Sequence, residues 1–340
     1  MLQFLTRVDA QLVRRGRLQQ LDQVRAEQIR ISCGGLGVAP ASWVLPVLDA
    51  LLRRFRHSRV EILGRPTVTA LLRLHCEGLG RPCLPMEPQH PSLHIRLRRG
   101  AGLPRYRRKG PIDQLTIRLR GGRALAFAPL DQPAAAALQD CAFMAGLDPD
   151  GSPPCLRLPK PVQAAARDRY RQLCAAAGAP LIALLPAHNP QHSYGAERLW
   201  DVGQRLATRI GGTVIQLGGP ASPRPRLARA AQAAGEAAAL LHLCAVAICD
   251  DIGWAHVAAA VGAPVVTVFT RNNPVRHGPV SPHSAVLWAS STSRSCPHLA
   301  NTTRPLCRDC VRIDEVVTAA EKVAAESWPR DRLRAWGLPL

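Results

Sequence analysis

The sequence has few aromatic residues, and that shortage narrows the kind of fold it can encode. Aromatic residues make up 4% of the 340 residues, and alanine and leucine supply most of the apolar bulk. This composition favours layers of helices and sheets over an all-β sandwich. The length fits two domains of middling size, and 47% hydrophobic residues give each domain enough side chains for its own core.

Lysine is also scarce, because Lys109, Lys160 and Lys322 are the only lysines beside many arginines. The formal net charge is +20. A G/C-rich coding bias toward arginine is one explanation; a surface that attracts phosphorylated glycolipid, anionic membrane or nucleic acid is the other. The sequence has no helix-turn-helix, aromatic RNA-binding motif or paired zinc ligands, so we expect no nucleic-acid partner.

Long apolar runs are missing as well. No run approaches the roughly 20 apolar residues that span a bilayer, and four arginines between residues 7 and 17 interrupt any leader-like segment. We therefore expect a cytoplasmic protein, which could contact the inner face of the cytoplasmic membrane peripherally. Its thiols should be reduced, and Cys33, Cys244 and Cys249, which sit in apolar runs, should be buried as small hydrophobic side chains.

The first half of the chain alternates strand and helix patterns. Residues 2–24 predict a basic amphipathic helix, and residues 28–33 a strand that ends in the glycine-rich turn 34–37. A helix over 44–52, a strand over 59–63 and a helix over 67–76 follow. Parallel strands need helical crossovers, so this order indicates a βαβ unit.

Residues 94–123 interrupt this alternation with ten arginines or lysines against one acid, Asp113. One interpretation is a solvated loop or hairpin at the rim of the domain. The other is a binding surface for an anionic acceptor, in which Arg105, Arg107 and Arg108 would make bidentate contacts. An alanine-rich helix is predicted after it, over 129–146.

The second half begins after a proline-rich segment, 148–161, which is the predicted linker. Strands predicted over 181–185, 213–217, 245–249 and 264–269 alternate with helices and indicate a second doubly wound sheet. The predicted fold is therefore α/β, with two Rossmann-like domains facing across a cleft, the GT-B architecture. The predicted parts are a basic N-terminal helix, two Rossmann-like domains and a C-terminal tail, at 1–25, 26–155, 156–325 and 326–340.

The strongest local signal lies where the strand over 245–249 ends at Asp250 and Asp251. Gly253 allows a tight turn, and the N–H groups of the helix that begins there suit a diphosphate. Open α/β sheets also bind ligands beyond the carboxyl ends of their strands. His256 is expected in the first turn, with its ring donating to a phosphate oxygen. The alternative makes Asp251 a helix N-cap and His256 an ordinary surface histidine.

In its wider context, the segment from Asp251 to Pro264 resembles the D-[TS]-G-x-x-H-x-A-A-x-x-x-P pattern of glycosyltransferase family 9, the lipopolysaccharide heptosyltransferases. Ile252 replaces the hydroxyl residue of that pattern. Weaker likeness extends over roughly residues 28–325, including a helix start at Tyr194-Gly-Ala-Glu-Arg-Leu and a Gly-Pro pair that ends at Pro279.

This resemblance implies an inverting, metal-independent transfer of a sugar, heptose from ADP-heptose, to an anionic lipopolysaccharide-type acceptor. No cofactor would be required for the transfer. The residues expected to bind the donor are Asp251, Gly253, Trp254, His256, His192, Gly218 and Gly219.

The chain departs from the family at positions that the chemistry uses. Members usually place an aspartate after the glycine of the first loop as general base, whereas Gly37 is followed by Val38-Ala39-Pro40. Asp49 is predicted to lie too far along the next helix to replace it, so no catalytic residue is assigned. His192 replaces a lysine and is only partly charged near neutral pH. The alternative function is a catalytically impaired nucleotide-sugar-binding protein of the same fold.

A cysteine cluster near the C-terminus is the remaining candidate site. Cys296, Cys307 and Cys310, with His298 nearby, could hold a structural zinc or iron ion in tetrahedral geometry. The alternative is a cluster of reduced thiols in a loop, since a single C-x-x-C is only a moderate signal.

Overall fold

The computed structural model describes about two thirds of the chain between Ala26 and Leu338. The described residues are 26–34, 36–81, 83, 93–98, 105–109, 112–118, 139, 142–143, 147–174, 179–187, 193–217, 234–250, 252–270, 274–288, 309–327, 333–334 and 338. The helix predicted over 2–24 and most of the one predicted over 129–146 lie outside them.

The chain divides into two compact units, Met1–Arg157 and Leu158–Leu340. The division falls within the proline-rich segment 148–161. Each unit holds a five-stranded sheet with helices between its parallel strands, so the predicted α/β fold with doubly wound parallel sheets is confirmed.

The sheet of the first unit has the order β2-β1-β3-β5-β4, and β4 alone runs antiparallel to its neighbour. Two helices cross between the first three strands. The bounds are β1 (Gln28–Ser32), α1 (Val38–Arg54), β2 (Arg59–Leu63), α2 (Pro66–Gly78), β3 (Leu93–Arg98), β4 (Arg105–Lys109) and β5 (Ile112–Arg118).

The arginine-rich stretch, residues 94–123, contains more strand structure than the sequence predicts. The β4–β5 hairpin confirms a hairpin at the edge of the sheet, but β3 lies in its middle, between β1 and β5. Leu93, Ile95 and Leu97 are buried and alternate with half-buried polar residues. The loop interpretation is therefore wrong for β3, because charged residues can occupy every second position of a strand whose other face is packed.

The first loop is also shorter than expected, because α1 begins at Val38 and includes Val38-Ala39-Pro40 in its first turn. Further along α1, the Asp49 carboxylate contacts α2: Oδ1 lies 2.8 Å from Nε2 of His75. His75 is fully buried, and its Nδ1 accepts a hydrogen bond of 3.1 Å from the amide of Arg157. Nε2 therefore carries the ring proton and donates to Asp49, which commits that carboxylate to a structural contact.

In the second unit all five strands are parallel, in the order β10-β9-β8-β6-β7. The bounds are α3 (Lys160–Leu173), β6 (Leu181–Leu185), α4 (Ala196–Ile210), β7 (Thr213–Gln216), α5 (Ala234–Leu243), β8 (Val246–Cys249), α6 (Ile252–Ala260), β9 (Val265–Phe269), α7 (Pro274–His277), β10 (Ser284–Trp288) and α8 (Ile313–Ser327).

The central strands of this sheet are buried on both faces. Ile182 and Leu184 of β6 pack with corresponding residues of β8 and β9 against α4 and α8. Leu181, Ala183 and Leu185, on the opposite face, are equally buried. Burial on both faces is typical of parallel sheets that helices cover on each side, and it explains why these strands are continuous apolar runs in the sequence.

The burial of the cysteines agrees with the expectation from the sequence. Cys33, Cys244 and Cys249 are buried and form no disulfide. No helix among the described residues combines the length and apolar character that crossing a membrane requires.

Candidate functional site

The order of strands in the second unit determines which of its loops begin side by side. The chain passes from β6 to β7, its neighbour on one side within the sheet, and then to β8, its neighbour on the other side. Leu185 and Cys249, the last residues of β6 and β8, are paired in register. The loops that follow these two strands therefore diverge from adjacent points, and such a switch point is where open α/β sheets bind ligands.

Asp250, the first residue after β8, connects these two loops. Its side chain is buried, and Oδ1 accepts a hydrogen bond from the amide of Ala187, just beyond β6. Oδ2 accepts from the Ser193 hydroxyl at 2.5 Å and from the Tyr194 amide at 2.9 Å. The Gly195 amide approaches Oδ2 to 3.4 Å and donates to Ser193 Oγ at 2.9 Å.

These contacts explain how a carboxylate is accommodated in the interior. Burial raises the pKa of Asp250, and the hydrogen bonds from Ser193, Ala187, Gly195 and Tyr194 oppose that shift. Backbone amides can only donate, and each of these bonds is stronger to an ionised acceptor. The loop therefore supplies the donors that replace the water lost from the carboxylate.

Tyr194 fixes the other end of the same loop. It is almost fully buried, and its hydroxyl donates to the carbonyl of Val311 at 3.0 Å. The guanidinium of Arg198 lies 5.3 Å from the ring centroid and pairs with Asp309 at 3.0 Å. Gly195 has a φ of 115°, which is costly for residues with a side chain, and α4 begins directly after it. The chain from Ser193 to α4 is thus held from several sides.

The start of α6 lies next to the Asp250 contacts in the chain. The helix begins at Ile252, and Gly253 and Trp254 are half-buried in its first turn. The first N–H groups of a helix have no partner inside the helix and point along its axis toward the positive end of the macrodipole. Helix starts of this kind can bind anions, and this one follows β8 at the switch point.

His256 is buried and holds the segment after β9 against α6. It is the fifth residue of the helix, and its Nε2 donates to the carbonyl of His277 at 3.1 Å. Burial lowers its pKa from 6.5 to about 4. A neutral ring carries one N–H, and here that N–H faces a carbonyl. The expected donation from His256 to a phosphate oxygen is therefore not the contact that the structure gives to Nε2.

The structure describes some of the predicted site residues and not others. Gly253, Trp254 and His256 share the start of α6, and Arg105, Arg107 and Arg108 lie together in the edge strand β4, where only the backbone is described. Cys310 is half-buried in the turn before α8. The remaining predicted residues lie outside the described part of the chain: His192, Gly218, Gly219, Asp251, Cys296 and Cys307.

Sequence reasoning identified Asp250 only as the end of a strand and missed its role. The missed partners are Ala187 and Ser193, which lie 63 and 57 residues away in the chain. Two of the donors to Asp250, the amides of Ala187 and Tyr194, belong to the backbone and leave no sequence pattern. An acid directly after a fully apolar parallel strand was the one available signal.

Replacing Asp250 should destabilise the second unit strongly. Asp250→Ala removes the acceptor for the Ser193 hydroxyl and for buried amides, so we expect a loss of roughly 3–5 kcal/mol in the free energy of unfolding. Asp314→Ala removes the same charge from an exposed pair with Arg205 and should cost at most about 1 kcal/mol. Urea unfolding of both variants measures the difference; similar small losses would contradict this role for Asp250.

The lowered pKa of His256 makes stability depend on pH in a defined direction. Between pH 6.5 and about 4 the unfolded chain binds a proton that the folded chain does not, so stability is greatest above pH 6.5 and falls as the pH falls toward 4. The loss from this group should reach roughly 3 kcal/mol.

His256→Gln keeps a donor for the His277 carbonyl and removes the titration. The stability difference between the parent chain and this variant should therefore shrink or reverse as the pH falls from 7 to 4. His57→Gln, at an exposed histidine, serves as the control and should follow the parent chain. Parallel stability curves for His256→Gln and the parent would show that this histidine does not titrate as stated.

Comparison with known proteins agrees with the geometry of the second unit. Residues 233–306 match the model of the family described as Glycosyltransferase family 9 (heptosyltransferase). This segment contains β8, β9 and β10 and the start of α6. No curated protein sequence matches the chain.

Solved structures share the fold over most of the chain. A glycosyl transferase family 9 protein from Veillonella parvula has a TM-score of 0.65 at 16% identity, over 88% of this chain and 98% of that one. The Escherichia coli ADP-heptose lps heptosyltransferase II has a TM-score of 0.58 at 13% identity, over 88% and 99%. The iron-containing dodecameric glycosyltransferase TibC from enterotoxigenic E. coli has 0.54 at 13%, over 88% and 77%.

At these identities the structural likeness establishes the fold, and the family model adds a sequence match at the switch point. The match to the family model supports the prediction that the chain is an enzyme. The chain resembles glycosyltransferase family 9: it has the fold of heptosyltransferase structures and carries the family's sequence pattern over residues 233–306.

Proposed function

We propose that the chain is a heptosyltransferase-like glycosyltransferase that binds a nucleotide-sugar at the switch point of its second unit. One observation carries this proposal: the buried Asp250 carboxylate holds the loop after β6 beside the start of α6. Two loops ordered by one buried acid form a preorganised site for the diphosphate of a donor. The family model covers the α6 side of this site.

The proposed donor is ADP-heptose, and the proposed acceptor is an anionic lipopolysaccharide-type glycolipid. Two of the structural neighbours are an ADP-heptose lps heptosyltransferase II and a TibC complex with ADP-D-beta-D-heptose. Arg105, Arg107 and Arg108 in β4 belong to the most basic stretch of the first unit, where arginines would meet acceptor phosphates or acidic sugars. We propose that this reaction takes place at the inner face of the cytoplasmic membrane.

In the proposed reaction an acceptor hydroxyl oxygen attacks the anomeric carbon of the donor sugar and inverts its configuration. The bond from that carbon to the diphosphate oxygen breaks, and ADP leaves with the bonding electron pair. The hydroxyl proton passes to a base or to water. Negative charge grows on the diphosphate as it leaves, and the amides and dipole at the start of α6 would stabilise it. The proposal therefore includes no metal in the transfer step.

A second candidate function is nucleotide-sugar binding with impaired transfer. It is favoured by the arrangement around the first loop, where α1 begins directly at Val38 and the Asp49 carboxylate is engaged by His75. Neither feature offers a general base to an acceptor hydroxyl. Donor binding and sugar transfer must therefore be measured separately.

Donor binding should stabilise the chain measurably. At 100 times its dissociation constant, ADP-heptose should add about 2.7 kcal/mol to the free energy of unfolding, whereas UDP- and GDP-sugars should add less. Asp251→Ala should weaken this binding at least about ten-fold, because Asp251 directly precedes α6 in the chain and opens the family's sequence pattern. Thermal shift and calorimetry provide the measurements.

Asp168→Ala is the matched control, since it removes the same charge from an exposed position on α3. It should leave the donor affinity unchanged. Equal affinity in Asp251→Ala and Asp168→Ala would exclude the proposed site. Binding of ADP-heptose without release of ADP in the presence of a glycolipid acceptor would instead favour the second candidate function, nucleotide-sugar binding with impaired transfer.

We also propose a structural zinc or iron ion at Cys296, Cys307 and Cys310. TibC is described as iron-containing, but within the described part of the chain no group of three or more His, Cys, Asp or Glu residues could hold a metal. Of the three cysteines the structure describes Cys310, which is half-buried and forms no disulfide. Three thiolates and one further ligand would satisfy a tetrahedral ion.

Elemental analysis of the purified chain tests this proposal. We expect about one zinc or iron per chain, and Cys310→Ser should reduce that content because it removes one of three thiolate ligands. Cys155→Ser, at an exposed cysteine, should leave the content unchanged. A chain without bound metal, before any chelator is added, would end the proposal.

A further inference from the structure

Two cysteines of the first unit contact each other at the end of α2. Cys76 lies in the last turns of this helix, and Cys83 follows the turn after it. The Cys76 thiol donates a hydrogen bond to the sulfur of Cys83. Cys76 is fully buried, whereas Cys83 is half-buried and so remains partly exposed to solvent. The pair therefore joins one sulfur in the interior to one that a small molecule can approach.

Backbone hydrogen bonds fix the turn that brings Cys83 back to the helix. The Gly80 amide donates to the carbonyl of Glu77 at 2.9 Å, and the Arg81 amide donates to the carbonyl of Cys76 at 2.8 Å. This pair of bonds is the Schellman motif, in which a left-handed residue ends a helix and reverses the chain. Gly80 supplies that conformation with a φ of 70°.

The side chain of Arg81 holds the same turn against α1. Its guanidinium donates to the carbonyls of Leu52 and Phe55, each at 3.2 Å, and to the carbonyl of Ser58 at 2.9 Å. These carbonyls belong to the end of α1 and the segment that follows it. The backbone that leads to Cys83 is thus held by main-chain and side-chain bonds, and the contact between the two thiols is part of the fold.

The surroundings of Cys83 favour its thiolate. The hydrogen bond from Cys76 lowers the pKa of the Cys83 thiol, and the charges of Arg73 and Arg81 add to that shift, while burial and Glu77 oppose it. The same hydrogen bond, together with burial, raises the pKa of Cys76. Because the thiolate is the form that reacts with oxidants, Cys83 is the sulfur that reacts first.

We propose that Cys76 and Cys83 form a redox site that a peroxide converts into a reversible disulfide. The Cys83 thiolate attacks a peroxide oxygen, the O–O bond breaks, and Cys83 becomes a sulfenic acid. The hydroxide that leaves takes up the proton that Cys83 had released. The Cys76 sulfur then attacks the Cys83 sulfur, the S–O bond breaks, and a second hydroxide leaves as water with the proton of Cys76. Two thiols and one hydrogen peroxide thus give one disulfide and two waters.

This site is separate from the proposed donor site. It consists of first-unit residues alone and does not depend on the proposed function of the second unit. Oxidation would add a covalent bond across the turn after α2, which hydrogen bonds hold in the reduced chain. In a reducing compartment such a disulfide is transient, as it is in redox-sensing proteins.

Peptide mapping of the full-length chain after brief treatment with hydrogen peroxide tests the pairing. The peptide that contains Cys76 and Cys83 should lose two hydrogens and resist alkylation, and dithiothreitol should restore both thiols. Cys155→Ser removes an exposed cysteine of the same unit and should give the same disulfide. Absence of this disulfide, or pairing of Cys83 with another cysteine, would overturn the proposal.

Single-cysteine variants test the order of the two steps. Cys83→Ser should leave Cys76 as a thiol after the same treatment, because Cys76 is buried and has lost its reactive partner. Cys76→Ser should stop at the Cys83 sulfenic acid, which dimedone traps. Oxidation of Cys76 in the Cys83→Ser chain, or a Cys83 that dimedone does not label in the Cys76→Ser chain, would contradict the assignment of Cys83 as the first sulfur to react.

The pH profile of Cys83 alkylation by iodoacetamide tests the electrostatic part of the argument. Its midpoint should be higher in Arg73→Met than in the parent chain, because a charge that stabilises the thiolate is removed. Arg65→Met is the matched control, since Arg65 is exposed at the opposite end of α2, and it should keep the midpoint of the parent chain. Equal midpoints in all three chains would remove the reason for assigning the first step to Cys83.

Urea unfolding tests whether the fold accommodates the disulfide. A cross-link across a short turn restricts the unfolded chain, so the peroxide-treated chain should unfold at a higher urea concentration than the reduced chain. Cys83→Ser, treated in the same way, should show no such increase. A lower midpoint for the oxidised parent chain would show that the disulfide strains the turn, and it would overturn the proposal.

Discussion

A single buried carboxylate organises the candidate donor site of this protein. Asp250 has left water, and the groups that replace its hydration belong to the loop after β6. A buried charge without such donors would cost several kcal/mol. Burial opposes the charge of Asp250, and the hydrogen bonds from Ala187, Ser193 and Tyr194 stabilise it.

This constraint determines what the switch point can do. Parallel strands bring the ends of β6 and β8 together, but the sheet alone does not fix the conformation of the loops that leave it. Asp250 does so on one side, and the His256–His277 hydrogen bond ties the segment after β9 to α6 on the other. The exposed ion pairs between α4 and α8, such as Arg209–Glu321, contribute far less, because solvent screens them and the side chains lose entropy.

The sequence predicted best those features that depend on neighbouring residues in the chain. Strand β6 was predicted with its observed bounds, because a strand buried on both faces is a continuous apolar run between turns. Strand β3 was not predicted, because His94 and Arg96 occupy alternate positions of a strand with one polar face. The sequence showed Asp250 and Asp49 as acids, but their partners come from other elements. No spacing in the sequence predicts such contacts.

The most direct measurement of the central claim is a crystal structure of the chain with ADP-heptose. The account predicts diphosphate oxygens within hydrogen-bond distance of the Gly253 and Trp254 amides, with the Asp250 contacts to Ser193 and Tyr194 intact. A diphosphate bound away from the start of α6, or a loop after β6 that has released Asp250 in the complex, would contradict it.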